Sequence, residues 1–222
     1  MRQIPLAMGP APARSFESFV VGANREPVAH LQQFGPLSAP AYLWGPPGSG
    51  KTHLLSALAH AWQAGGACVG AFAAATPLPW RFDPDWTLFL LDDCERLDDE
   101  RQHAAFALFV DAATAGVPWV AAGSVPPVDL ALRDDLRSRL AWGVVFALQP
   151  LGDAEVRSVL RRAADARGIF LSDEVMDYLL TRFARDLGHL TALLDRLDEF
   201  ALATQRAVTL PLLRRMLAEE GA

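Results

Sequence analysis

The chain has 222 residues, 51% hydrophobic and 21% charged, a globular composition with length for one medium domain and one small one. Its formal net charge of −6 argues against nucleic acid as the main partner, leaving DNA contact indirect or weak. There is no apolar run near the roughly 18 residues of a membrane helix and no signal-like stretch after Arg2; Cys68 and Cys94 stand far apart outside any CxxC, so a cytoplasmic protein with reduced thiols and no membrane partner is expected.

In chain order, residues 1–14 are rich in Pro, Ala and Gly and read as an extended tail. From 15 to 150, short apolar runs alternate with helical patterns, as in βαβ units of a parallel sheet. Five strands are predicted, at 41–44, 67–73, 87–92, 118–123 and 144–148. Between them, 52–62 and 100–114 carry apolar residues at three- and four-residue spacings, the mark of helices with one buried face. After Gln149-Pro150-Leu151-Gly152 the pattern is helical throughout. One helix opens on Asp153 as its cap and stops at Gly168, and a second is capped by Ser172. A long helix follows over 186–205, then a last one over 211–218. The fold class is α/β: a five-stranded parallel sheet sandwiched by helices, 15–150, followed by a small all-helical domain, 151–222.

Of the 20 basic residues only Lys51 is lysine. It lies in Gly45-Pro46-Pro47-Gly48-Ser49-Gly50-Lys51-Thr52, between a predicted strand and a predicted helix, which is the setting of a phosphate-binding loop. Glycines let backbone N–H groups turn inward around a phosphate, and the helix N-terminus adds the positive end of its dipole. Lys51 would reach the β- and γ-phosphates as a compact point charge, a role arginine does not fill, and the Thr52 hydroxyl would sit on Mg²⁺. A surface turn rich in Gly and Pro would need neither flanking element. About 40 residues further on, Leu88-Phe89-Leu90-Leu91-Asp92-Asp93 brings two acids to the same edge of the sheet. Asp92 is expected to hold Mg²⁺, and Asp93 to orient or deprotonate an attacking water. The histidines are not spaced as metal ligands, and the six tryptophans are expected in packing roles, with a partner contact for Trp80 and Trp86 as the alternative.

A phosphate loop in a sheet domain followed by a helical lid suggests the AAA+ group. Within it, Phe16–Asn24, GKTHLL (50–55), LLDDCERL (90–97) and LRSRLAWGVVFALQPL (136–151) are similar in order and spacing to the bacterial replication initiator DnaA. DnaA continues into a helix-turn-helix domain where this sequence ends. A DnaA-like module without that reader, with an acidic pI near 5.3, resembles the Hda family of regulators that inactivate DnaA. The resemblance implies contacts to ADP or ATP from Val20, Gly22 and Asn24 near the adenine, from Gly45 to Thr52, and from His53. It also implies that Gln3, Ile4, Leu6 and Met8 form a peptide that docks on the DNA polymerase III sliding clamp. By the same resemblance Arg139 matches an arginine finger acting on a neighbour's ATP, with Arg137 as backup; the alternative use of Arg139 is an ion pair with Asp134 or Asp135. Two positions depart from the pattern: only Ser124 is polar where a sensor follows the fourth strand, and Gly188 stands where the lid usually carries an arginine, with Arg185 one turn earlier. The implied function is stimulation of ATP hydrolysis by DnaA, preventing re-initiation, with DnaA and the clamp as partners and a homodimer as a further association. At most weak ATPase activity is expected of the chain itself. The rival reading is an autonomous ATPase loader of the DnaC or IstB type, and the third a nucleotide-independent adaptor.

Overall fold

The computed structural model describes residues 14–183 and 187–220, and the chain divides into two compact units, one bounded by Pro12 and Pro150 and one containing Leu151–Ala222. The expected clamp peptide (Gln3, Ile4, Leu6, Met8) and Arg185 fall outside the described residues.

In the first unit, helix α1 (Arg25–Gln32) leads to strand β1 (Ala41–Trp44), helix α2 (Lys51–Ala64) and strands β2 (Val69–Ala73) and β3 (Leu88–Asp92). Helix α3 (Asp99–Ala115), strand β4 (Trp119–Gly123), helix α4 (Asp134–Leu140) and strand β5 (Val144–Ala147) complete it. All five strands are parallel, in the order β2-β3-β4-β1-β5. The central strands β3 and β4 are buried at every residue, as a sheet covered on both faces requires, while the edge strands β2 and β5 are buried only in part.

Alternation along the strands builds two cores. Ala41, Leu43, Leu88, Leu90, Val120 and Ala122 face α1 and α2, and Tyr42, Phe89, Leu91, Trp119 and Ala121 face α3 and α4. Each fully buried Leu or Phe contributes about 1.5–3 kcal/mol. Trp80 and Trp86 join the second core: Trp80 is buried, Trp86 stacks on Phe89, and a side chain at Gly70 would strike the Trp86 ring at 2.5 Å. The loop that carries these tryptophans is thus held down by packing.

Helix α3 has the ends its sequence requires. Asp98 accepts from the Arg101 N–H at 2.9 Å, and Gly116, at φ 69°, closes the C-terminus. Buried Gln102 donates to the Leu97 carbonyl at 3.0 Å and accepts from the Arg133 N–H at 2.9 Å, which pins the start of α4 to α3.

The second unit consists of α5 (Asp153–Asp165), α6 (Asp173–Arg182), α7 (Leu187–Thr204) and α8 (Leu210–Glu220) around Leu160, Met176, Leu179, Leu194, Leu197 and Leu213. Ser172 caps α6 as expected, accepting from Val175 N–H at 3.4 Å. At α5 the cap is Gly152 rather than Asp153: Gly152 is extended, its N–H donates to Glu155 Oε2 at 2.8 Å, and Asp153 becomes the first helical residue. Its charge still suits the helix dipole there. On the surface Arg157 pairs with Asp177, Arg161 with Asp173 and Arg167 with Asp195, each worth about 0–1 kcal/mol.

Candidate nucleotide site

The loop 45–50 links the C-terminal end of β1 to the N-terminus of α2. Gly48 and Gly50 lie at φ 78° and 96°, conformations that L side chains avoid, and these turn the backbone inward ahead of the helix. At Gly50 a second constraint holds, because a Cβ would meet the Phe19 ring at 2.5 Å. Helix α2 opens with no acidic residue in its first turn and no side-chain cap, so its dipole end is available to an anion. Ser49 Oγ is buried and has no hydrogen-bond partner among the described residues, which leaves a polar atom inside the loop able to bond a phosphate oxygen. Lys51 Nζ donates to the carbonyls of Gly45 at 2.7 Å and Pro46 at 3.1 Å. Neutral carbonyls are weaker acceptors than a phosphate, so the same ammonium can exchange them for one. Burial draws Lys51 below its usual pKa, opposed by the charges of Glu95, Asp92 and Asp93. These features fit a nucleotide phosphate chain.

Thr52 Oγ1 donates to Asp92 Oδ2 at 2.6 Å across 40 residues of sequence, and the Asp93 N–H donates to Asp92 Oδ1 at 2.8 Å. Burial raises the Asp92 pKa, and these two hydrogen bonds oppose that rise by favouring the carboxylate. No group of three or more His, Cys, Asp or Glu suited to a metal exists among the described residues. A hydroxyl and one carboxylate would leave most of an octahedral shell to water and phosphate, which fits Mg²⁺ arriving with a nucleotide. A cleft of about 440 Å³ opens beside this pair, lined by Leu55, Ser56 and His60 of α2 and Leu90 of β3. Asp93 takes a left-handed backbone at φ 53°, partly exposed, with Arg96 at 4.0 Å.

Glu95 was not singled out from the sequence, yet its carboxylate accepts from the Ser124 N–H at 3.0 Å and joins the ends of β3 and β4. It has the largest charge effect on Lys51 among the three acids. A signal was present: it is the third acid of Asp92-Asp93-Cys94-Glu95.

The segment before β1 packs on the loop. His53 Nε2 lies 2.9 Å from the Ser15 carbonyl, which can only accept, so this nitrogen carries the proton; the same ring meets Phe19 edge-on at 5.3 Å between centroids. Asn24, 2% exposed, is the N-cap residue of α1, but its side chain makes no capping hydrogen bond there. Its amide donates to the Gln149 carbonyl at 2.9 Å, and its oxygen accepts from the Gln149 N–H at 2.8 Å. Asn24 therefore fastens this segment to the end of β5, whereas Val20 and Gly22 are only half-buried.

At the far corner of the sheet, Arg133 pairs with Asp135 at 2.6 Å and Arg137 with Asp134 at 2.5 Å. Both aspartates that could have neutralised Arg139 are thereby taken. Among the described residues no carboxylate lies within ion-pair distance of Arg139, whose guanidinium carbon is 5.8 Å from the centroid of the Trp142 ring.

A parallel β2-β3-β4-β1-β5 sheet with a phosphate-binding loop after β1, followed by a helical lid, defines an AAA+ protein of the P-loop class. Residues 153–217 match the family described as Hda, lid domain. An uncharacterized protein of Haemophilus influenzae is 35% identical over 186 residues, covering 79% of this chain and 80% of its own. The chain belongs to the Hda family of AAA+ proteins. Its fold is similar to domain III of the Thermotoga maritima replication initiation protein DnaA, with a TM-score of 0.75 and 20% identity over 95% of this chain and 98% of that one. It is also similar to AMPPCP-bound DnaA from Aquifex aeolicus, with a TM-score of 0.70 and 22% identity over 95% of this chain and 70% of that one. No helix among the described residues is long and apolar enough to cross a membrane.

Proposed function

We propose that this protein is a cytoplasmic regulator of replication initiation that acts on the ATP held by DnaA. The observation that carries this reading is Arg139: alone among the three arginines of α4 and its N-cap it has no carboxylate partner among the described residues, and so keeps its charge for another molecule. A guanidinium supplied in trans is worth about 10³–10⁵ in rate in other finger systems, because it stabilises charge that develops on the transferred phosphoryl group. Family membership supports DnaA as the recipient. Residues 1–14 would serve as the clamp-binding tail through Gln3, Ile4, Leu6 and Met8, with 15–150 as the nucleotide-binding domain and 151–222 as the lid.

The chain's own loop would hold ADP or ATP. Lys51 and the N–H groups of 45–50 would bind its phosphates, and Thr52 and Asp92 its Mg²⁺. The metal supplies charge neutralisation on the phosphate oxygens when bound. Asp93 is the residue to orient a water, but Ser124 is the one polar residue at the sensor position and Gly188 stands in the first turn of α7. This arrangement favours binding over turnover, so the nucleotide works as a conformational prerequisite rather than as fuel.

The test is single-turnover hydrolysis of ATP preloaded on DnaA from the same cell, with DNA-loaded clamp, with and without this protein and its Arg139→Ala variant. Acceleration that requires both clamp and Arg139 is expected. No acceleration overturns the reading, and DNA-stimulated turnover by the isolated chain would instead indicate a loader of the DnaC or IstB type.

A further inference from the structure

Trp142 is a large apolar residue that is 62% exposed, one residue beyond the C-terminal cap of α4. Its position is fixed from several sides. The Trp142 N–H donates to the Arg139 carbonyl at 2.9 Å, and the Ala141 N–H to the Arg137 carbonyl at 3.0 Å. The next residue, Gly143, lies at φ 115°, and a side chain there would collide with the Pro40 carbonyl. Beyond it, the Val144 N–H donates to that same carbonyl at 2.9 Å, which ties the corner to the start of β1. At the other end of α4, Gln102 holds the Arg133 N–H. The backbone from α4 to the edge strand is thus held at this corner, and the exposed indole lies with the guanidinium carbon of Arg139 5.8 Å from its ring centroid.

We propose that Trp142 is the positioning residue of Arg139: its ring presents the guanidinium, still fully charged, to the phosphates of a nucleotide bound by a partner. A carboxylate would orient an arginine equally well but would cancel the charge and repel the γ-phosphate. An aromatic face restricts the same side chain and displaces part of its water without neutralising it. The adjacent arginines differ in charge: Arg133, which also lies 5.9 Å from the Phe106 ring centroid, and Arg137 are paired with Asp135 and Asp134 and carry no net charge as pairs. The exposure of the ring also places it where the surface of the partner closes over Arg139, and loss of water there strengthens the contact.

This inference rests on the trans role of Arg139 proposed above, and the experiment separates the two. Stimulation of ATP hydrolysis on DnaA is measured over a range of DnaA concentrations with the full chain and its Arg139→Ala, Trp142→Ala, Trp142→Phe and Trp142→Glu variants. Trp142→Ala is expected to lower the rate at saturating DnaA by about 3- to 30-fold. Trp142→Phe should keep most of it. Trp142→Glu should lose more than Trp142→Ala, because the new carboxylate neutralises the finger. The thermal midpoint and ADP affinity of each variant should match the parent, since the ring is exposed and outside the phosphate loop. If Arg139→Ala abolishes stimulation while Trp142→Ala retains the parent's saturating rate, the positioning role is overturned and the finger stands. A loss confined to the half-saturating concentration overturns it too, because that marks a docking contact alone. If Arg139→Ala has no effect, the functional reading itself falls.

Discussion

Replacing Asn24 by alanine isolates a fastening that joins parts of the chain 125 residues apart. Two hydrogen bonds vanish, at 2.9 and 2.8 Å, one donated to the Gln149 carbonyl and one accepted from its N–H. At about 1 kcal/mol net for each, the loss is about 2 kcal/mol. For a protein of this size that corresponds to a fall in the unfolding midpoint of about 4–8 °C. Asn24→Asp should lose more than Asn24→Ala: its carboxylate still accepts from the Gln149 N–H but sets a second oxygen against the Gln149 carbonyl, at a site only 2% exposed. The assay is thermal unfolding followed by circular dichroism without nucleotide, alongside an ADP titration. A parent-like midpoint in Asn24→Ala with weakened ADP binding would refute the fastening role and make Asn24 a direct nucleotide contact. A parent-like midpoint in Asn24→Asp would refute the geometry.

The remaining predictions concern Lys51 and His53. Lys51→Arg should weaken ADP binding by at least about 10-fold, close to Lys51→Ala, because the loop carbonyls of Gly45 and Pro46 are set around a compact ammonium and a planar fork does not fit it; fluorescence titration with a labelled ADP reads this, and parent-like affinity in the arginine variant would refute it. His53 is held neutral, chiefly by burial, with its pKa below the ordinary 6.5, so the unfolded chain binds the extra proton first and stability falls as pH drops through that value. Above it the effect is absent. His53→Gln should flatten the difference in unfolding midpoint between pH 7.5 and pH 5.5 relative to the parent, and an unchanged difference would refute the assignment.

Much of this molecule is legible as local pattern. The strand periods, the apolar stripes of α2 and α3, the Ser172 cap and the loop around Lys51 are each set by residues within a few positions of one another. Spacing within one turn or one pleat decides them, and the Hda lid follows from the same kind of signal. Where a local rule misplaced a residue, the cause was a competing partner nearby, as when Glu155 turned back to the Gly152 N–H and shifted the cap of α5 by one position.

Other features became definite only in three dimensions. A parallel sheet gathers the ends of strands distant in sequence onto one edge, so the contacts made there have no local signature. Asn24 is expected from the sequence beside the adenine, but Gln149 lies next to it and takes both halves of its amide. Glu95 is only the third acid of a run in the sequence, and the end of β4 brings the Ser124 N–H to its carboxylate. Arg139 has two aspartates close in sequence, and only the geometry of α4 assigns those to Arg133 and Arg137. The chemistry of the phosphate loop is written in eight consecutive residues; which arginine is left charged at the sheet's corner is decided by the packing of helices around it.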